Sequence, residues 1–193
     1  MRASPGHPVI KSFLSWAPLL MPSISSGIRR SGRALWVIIQ AGAWHPEEAI
    51  GTFQLRWQVG LCLAYGTRSI MHASYSKGWW DDSTACVNAS GAKNPMYDDV
   101  TTVNREIHAV GTDYLKYRNT GVSVCGDLSS AHSRVRVQLE RQALRPNEAN
   151  LDAIAQVTSD AAILAGTFRG EQDSRALLLV NTQNPWNPAA SAD

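Results

Sequence analysis

Residues 34–40 read ALWVIIQ, a continuous apolar run that is rich in β-branched side chains and ends at Gln40. A strand covered on both faces has this composition, whereas a half-exposed strand alternates apolar and polar residues. The run therefore predicts a strand of a parallel sheet, which the chain leaves at Gln40 through the loop Ala41–Trp44.

An amphipathic helix is predicted to follow this strand. Pro46 suits the first turn of a helix, because its missing N–H would have no partner there, and Glu47 and Glu48 oppose the positive end of the helix dipole. One apolar face recurs at spacings of four and three residues: Phe53, Trp57, Leu61 and Ala64. Gly66 is placed to end the helix, since glycine is favoured just beyond a helix C-terminus.

The same alternation of strand and helix then repeats. Residues 70–75, IMHASY, predict a second strand, and a polar loop rich in aromatic residues runs from there to Asn94-Pro95. Apolar residues at helical spacing predict a long second helix: Met96, Val100, Val103, Ile107, Val110 and Tyr114. This order indicates a βαβα unit with parallel strands and a right-handed crossover.

The pattern beyond the second helix predicts antiparallel β structure. Val122–Cys125 is a short extended run, and Val135 and Val137 alternate with polar residues, as in a half-exposed strand. The apolar runs Ile163–Phe168 and Ala176–Val180 flank a short polar turn, which predicts a β-hairpin.

Composition divides the chain into four segments. Residues 1–32 contain four prolines and no hydrophobic period, so we interpret them as an irregular loop or as sequence not native to the fold. Residues 33–126 hold the βαβα unit, and residues 127–184 hold the β-rich segment with the hairpin. Residues 185–193, which contain proline and small residues, are expected to form a disordered tail.

Charge and hydropathy exclude several classes of partner. The net charge is +2 and the basic residues are spread along the chain, so no nucleic-acid-binding patch is predicted. No apolar run reaches the roughly 18 residues that a membrane-spanning helix needs, so no membrane partner is predicted.

The cysteines indicate neither a metal site nor a cofactor. Cys62, Cys86 and Cys125 are widely spaced, without the CxxC pairs of zinc or redox motifs, and Cys62 and Cys125 lie in apolar runs that suit buried thiols. A cytoplasmic location is therefore predicted. Secretion stays open, because Phe13–Met21 is a poor signal-peptide core and Asn88 begins a glycosylation sequon.

Three stretches together resemble a known family. They are the strand ending in Gln40, the segment QLRWQVGLCLAYGTRSIMHASY at 54–75, and YDDVTTVNREIHAVG at 97–111. Their order resembles the last part of a clan-A (β/α)8-barrel glycoside hydrolase, near β-galactosidase family 42. ILAGTFRG at 163–170 and ALLLVN at 176–181 resemble the opening hairpin of the β domain that follows such a barrel, so the resemblance covers residues 33–181.

The resemblance implies an α/β fold, a partial (β/α)8 barrel consisting of its last two βα units, followed by the start of an antiparallel β domain. A complete barrel needs about 250 residues, so strands one to six are expected to be missing. Retaining glycosidases use two carboxyl groups, and in this clan they end strands four and seven. Gln40 occupies the strand-seven position, where its amide cannot act as the nucleophile, so the chain is expected to be inactive alone.

Aromatic and polar residues after the two strands form the predicted carbohydrate-binding site, because barrel enzymes bind substrate at the carboxyl ends of their strands. Tryptophan and tyrosine rings stack on sugars, although core packing is their commoner use. The candidate residues are Trp44, His72, Tyr75, Trp79, Trp80 and Asp81. His72 is more typically a hydrogen-bonded core histidine, and Asp81 and its neighbour Asp82 suit a solvated loop.

Other charged residues have sufficient structural explanations. Glu47 and Glu48 suit a helix first turn, Arg56 suits an ion pair or a stem packed on the apolar face, and Glu106 suits an exposed helix face. Two alternatives to a glycosidase fragment remain at this stage. One is a non-catalytic carbohydrate-binding module, which needs the same aromatic residues, and the other is an unrelated small α/β protein.

Overall fold

The computed structural model describes residues 31–43, 50–73, 75–76, 81–131, 135–137, 139–140 and 159–183. These residues form a mixed α/β structure with a parallel pair of strands and a three-stranded antiparallel sheet. The principal elements, in chain order, are β1 (Leu35–Gln40), α1 (Thr52–Ala64), β2 (Thr67–Ala73), α2 (Pro95–Tyr114), β3 (Arg118–Cys125), β4 (Ile163–Arg169) and β5 (Arg175–Asn181). The predicted order of strands and helices is confirmed from β1 to β3 and for the hairpin of β4 and β5.

The two N-terminal strands pair in parallel, as the βαβ pattern predicts. Alternate residues of β1 are almost completely buried, and Ile39, which pairs with His72, is 0% exposed. The opposite face carries Trp36 and Met71, which are 43% and 46% exposed. Parallel strands are ordinarily covered on both faces. In this pair one face is covered and the other exposes large apolar side chains.

The predicted start of the first helix is wrong. Ile50 and Gly51 are not helical, and α1 begins at Thr52 because Gly51 has an extended conformation (φ −117°, ψ −173°). The Gln54 side chain reaches back and accepts a hydrogen bond from the Gly51 N–H at 3.0 Å. Pro46, Glu47 and Glu48 lie outside the described residues.

The buried face of α1 also differs from the predicted one. Its buried residues are Leu55, Gln58, Val59, Leu61, Cys62 and Ala64, whereas Phe53 is 41% exposed. Because α1 has neighbours on several sides, its buried surface is wider than the single stripe that the spacing predicts. The helix ends as predicted, with Gly66 in the left-handed region (φ +85°) and its N–H donated to the Leu63 carbonyl.

The second helix follows the predicted amphipathic pattern. Met96 and Val103 are buried, and Val100 and Ile107 pack on the core, whereas Val110 is 54% exposed. The hydroxyl of Thr52, in the first turn of α1, donates a hydrogen bond to the Asp99 carboxylate of α2. This contact joins the N-terminal parts of the two helices.

The antiparallel sheet has the order β3-β4-β5, and β4 and β5 form the predicted hairpin. The first strand begins at Arg118, earlier than predicted, and pairs with β4 from Arg118 to Cys125. The strand predicted around Val135 and Val137 is wrong, because residues 135–137 and 139–140 are helical. Val135 and Leu139, four residues apart, are 2% and 3% exposed, and this helical spacing outweighs the β-branched alternation.

Helix α1 packs on both the parallel pair and the antiparallel sheet. Its last residue, Ala64, lies so close to β4 that a Cβ atom on Gly166 would fall 2.3 Å from the Ala64 carbonyl oxygen. The side chain of Asn119, in β3, donates a hydrogen bond of 3.0 Å to the same oxygen. The close approach of Ala64 to Gly166 fixes how the antiparallel sheet sits against α1.

Candidate carbohydrate-contacting edge

The carboxyl ends of β1 and β2 meet the loop that leads to α2. The Ala41 N–H donates to the Ala73 carbonyl, and beyond it Ala43 is bonded to the loop through the Thr84 hydroxyl, which accepts from the Ala43 N–H at 2.8 Å. Tyr75 is tied in by its carbonyl oxygen, which accepts from the Val87 N–H at 2.8 Å. These bonds hold the residues after both strands at one edge of the molecule.

An aromatic pair lies at this edge. The rings of Tyr75 and Tyr97 meet edge to face, with centroids 6.4 Å apart and an interplanar angle of 62°. Tyr75 is 62% exposed, and the Lys93 ammonium nitrogen lies 4.0 Å from the centroid of the Tyr97 ring. We call Tyr75, Tyr97 and Lys93 the tyrosine platform, a surface that combines an exposed ring face with a cation.

The platform includes two residues that the sequence reasoning did not select. Tyr97 belongs to the first turn of α2, whose N-cap is Asn94, and Lys93 precedes that cap. The Asn94-Pro95 pair marks the start of α2 in the sequence. A helix that starts directly after the loop from β2 places its first residues beside the carboxyl end of that strand. Tyr75 is a predicted site residue that lies at this edge.

The two aspartates of the loop are engaged in local structure. The Asp81 carboxylate accepts hydrogen bonds from the Ser83 N–H, at 2.9 Å, and from the Ser83 hydroxyl, so it caps the short 3₁₀ turn Asp82–Thr84. The Asp82 carboxylate accepts from the Ala89 N–H at 3.0 Å. Shaping this loop therefore accounts for both side chains.

Gln40 lies at the carboxyl end of β1, where the resemblance places a nucleophile. Its side-chain amide donates to the Gly42 carbonyl at 2.6 Å, and its backbone N–H donates to the buried Gln58 side chain at 3.1 Å. An amide held in this way positions the chain as it leaves β1. It offers no carboxylate for attack on an anomeric carbon.

His72 lies away from the platform. It lines a cleft of about 320 Å³ between β2 and α2, together with Asn104 and His108. Burial lowers the pKa of the His72 imidazole, because desolvation disfavours the charged form. Burial thus favours the neutral form of the ring, which lies on the side of β2 that lines the cleft beside α2.

The cysteine thiols are unsuited to nucleophilic chemistry. Burial raises the pKa of Cys62 to about 12 and also raises the pKa values of Cys86 and Cys125, so the reactive thiolate is disfavoured. Cys62 and Cys86 are buried as free thiols. Within the described ranges, no group of three or more His, Cys, Asp or Glu side chains is arranged to hold a metal ion.

Three of the predicted site residues, Trp44, Trp79 and Trp80, lie outside the described residues. Arg56, by contrast, forms the predicted ion pair, with its guanidinium 2.5 Å from the Glu106 carboxylate. This pair connects the exposed surfaces of α1 and α2, lowers the pKa of Glu106 and raises that of Arg56. Both residues thus have a structural role.

No family model matches the chain, and no curated protein or solved structure matches it significantly. In the part of the chain that the structure describes, no helix has the combination of length and apolar character needed to cross a bilayer.

Proposed function

We propose that the chain is part of a carbohydrate-active protein similar to the clan-A barrel glycoside hydrolases, in which it contributes a carbohydrate-contacting surface and no catalytic carboxylate pair. The observation that carries the proposal is the exposed tyrosine platform beside the carboxyl ends of two parallel strands. This edge is where barrel proteins bind their substrates.

The open face of the parallel pair supports a place within a larger barrel. Trp36 and Met71 point away from the covered face of the pair and remain nearly half exposed. In a barrel the inward-facing side chains of neighbouring strands cover such residues in packed layers. Burying a side chain of this size stabilises by roughly 1.5–3 kcal/mol, so the remaining strands of a barrel would be favoured there.

The chemistry of the platform suits a neutral sugar. A pyranose ring has an apolar face that stacks on an aromatic ring, and its hydroxyl groups accept hydrogen bonds from a cation such as Lys93. Gln40, with its amide already donated to a carbonyl, supports binding in place of hydrolysis. The same features fit a non-catalytic carbohydrate-binding module. Such a module folds cooperatively as an isolated domain, whereas a barrel fragment needs the rest of the barrel.

The test is to titrate the full chain with β-linked galacto-oligosaccharides and to measure binding by isothermal titration calorimetry. We expect saturable binding that Tyr97→Ala weakens about tenfold, since an aromatic contact contributes roughly 0.5–1.5 kcal/mol beyond its buried area. Tyr117→Ala, which removes a tyrosine beyond the opposite end of α2, is the matched control and should leave the affinity unchanged.

Two results would contradict the proposal. One is the absence of binding to any of the oligosaccharides by a chain whose circular dichroism shows that it is folded. The other is equal loss of affinity in Tyr97→Ala and Tyr117→Ala, because that would show a general effect on folding. A cooperative melting transition of the isolated chain would favour the binding module over the barrel fragment.

A further inference from the structure

The cleft between β2 and α2 is a second candidate site. Its volume of about 320 Å³ lies at the small end of the range of ligand pockets, roughly 300–1,000 Å³. Apolar side chains from both elements line it, among them Ile70 and Ile107, and polar groups are distributed between them, among them Ser69, Asn104 and His108. Such a mixture suits a small ligand that has both an apolar face and hydrogen-bonding groups.

The charge of the cleft is accounted for within the protein. Arg68 lines the cleft near the C-terminal end of α2. The Arg68 guanidinium donates hydrogen bonds to the carbonyls of Leu115, at 3.0 Å, and Tyr117, at 2.6 Å. Leu115 is the C-cap of α2, so Arg68 satisfies carbonyls at the negative end of that helix dipole. None of the described residues that line the cleft is a carboxylate.

Two residues that line the cleft each have a buried polar atom without a hydrogen-bond partner in the described part of the chain. These atoms are Nε2 of His72 and Oγ1 of Thr67. An unsatisfied buried polar group destabilises the fold, and a bound hydroxyl group can offset that cost by supplying a partner. The neutral imidazole has one donor and one acceptor nitrogen and can therefore bond a hydroxyl group in either direction.

We propose that the cleft between β2 and α2 binds a neutral, hydroxyl-bearing molecule the size of a monosaccharide. An anion is disfavoured, because Arg68 is already committed to the α2 carbonyls and the helix ends there with its negative pole. A purely apolar molecule is disfavoured by the polar groups that would be left buried and unpaired. The site is separate from the tyrosine platform, and its existence does not depend on that platform binding sugar.

Gly111 provides a way to close the cleft without damaging the fold. It lines the cleft from α2, and a Cβ atom added to it meets nothing within 4 Å. Gly111→Leu therefore fills the cleft from a position that accepts a side chain and gains helix propensity. Ala109→Leu adds the same side chain at an exposed position of the same helix that does not line the cleft.

The experiment follows the ring-carbon protons of His72 and His108 by NMR while D-galactose is added to the full chain. Simple sugars bind weakly, so the titration extends to roughly 100 mM, well above a dissociation constant of about 1 mM. We expect saturable shifts at both rings in the native protein and in Ala109→Leu. Gly111→Leu should weaken binding by more than about tenfold, whereas the smaller Gly111→Ala should retain it.

Three outcomes would overturn the inference. They are the absence of saturable shifts with D-galactose, unchanged binding by Gly111→Leu, and saturable shifts with sodium sulfate in place of D-galactose, which would assign the cleft to anions. The two proposals fail separately, because Tyr97→Ala leaves the cleft intact and Gly111→Leu leaves the tyrosine platform intact. Failure of oligosaccharide binding with retention of the galactose shifts would therefore reject only the proposed function.

Discussion

Replacing Gly166 by alanine should separate α1 from β4. The added Cβ would lie 2.3 Å from the Ala64 carbonyl oxygen and 2.8 Å from the Ala64 Cα, whereas ordinary contacts of such an atom begin near 3.4 Å. Both neighbours are backbone atoms of a helix, so no side chain can rotate to make room. The end of α1 must retreat by about 1 Å, which removes a quarter to a half of the attraction between facing atoms.

The expected cost combines two contributions. Overpacking of this kind costs roughly 1–3 kcal/mol, and the hydrogen bond from Asn119 to the Ala64 carbonyl, worth about 1 kcal/mol, is stretched or lost. The free energy of unfolding should therefore fall by about 2–4 kcal/mol. For a chain of this size that corresponds to a decrease in Tm of about 4–16 °C.

Thermal unfolding followed by far-ultraviolet circular dichroism measures this decrease. Gly111→Ala is the matched control, because its Cβ enters open space in a helix and should stabilise by roughly 0.5–1 kcal/mol. Gly60→Ala should lie between the two, since its Cβ meets only side-chain atoms of Val180, the nearest a methyl carbon at 3.3 Å. A Gly166→Ala variant with the Tm of the native protein would refute the packing of α1 on β4 described above.

Two further predictions concern charged and titratable groups. Burial lowers the pKa of His72 in the folded protein, whereas a histidine in the unfolded chain has a pKa of about 6.5. Between these two pKa values the unfolded chain binds more protons than the folded one. Native stability should therefore be highest above the unfolded-state pKa and should fall as the pH drops toward the folded-state pKa. Urea midpoints at pH 8 and pH 5 should differ less in His72→Phe than in the native protein or in the exposed control His108→Gln, and an identical pH dependence in all three would contradict this. A double-mutant cycle of Arg56→Gln and Glu106→Gln should give a coupling in the free energy of unfolding of only about 0.5 kcal/mol, which decreases as salt is added. The reason is that the two side chains are 51% and 45% exposed. A coupling of several kcal/mol that does not change with salt would contradict this prediction.

Residues with a strong local signal were predicted well from the sequence. The apolar run at Leu35–Gln40 and the helical spacing from Met96 to Tyr114 each persist over several residues, so local periodicity is enough to identify them. The hairpin of β4 and β5 is confirmed for the same reason, with two apolar runs on either side of a polar turn. In these places local preference and tertiary environment favour the same conformation.

Errors occurred where the tertiary environment outweighs local preference. Val135 and Val137 suit a strand as neighbours in sequence, yet Val135 and Leu139 are buried on one side of a helical segment. Phe53 completes a predicted apolar face of α1 but lies outside its buried surface, because α1 packs on two sheets at once. Neither set of neighbours is encoded in the local spacing of apolar residues.

The candidate site divides in the same way. Local sequence is enough to predict that aromatic and polar residues follow β1 and β2, and a parallel pair brings its carboxyl ends to one edge. The contact between Tyr75 and Tyr97 of the next helix, and the position of His72 at the cleft beside α2, depend on tertiary packing. A strand's alternation is local, whereas the face that a strand buries depends on which distant elements pack against it.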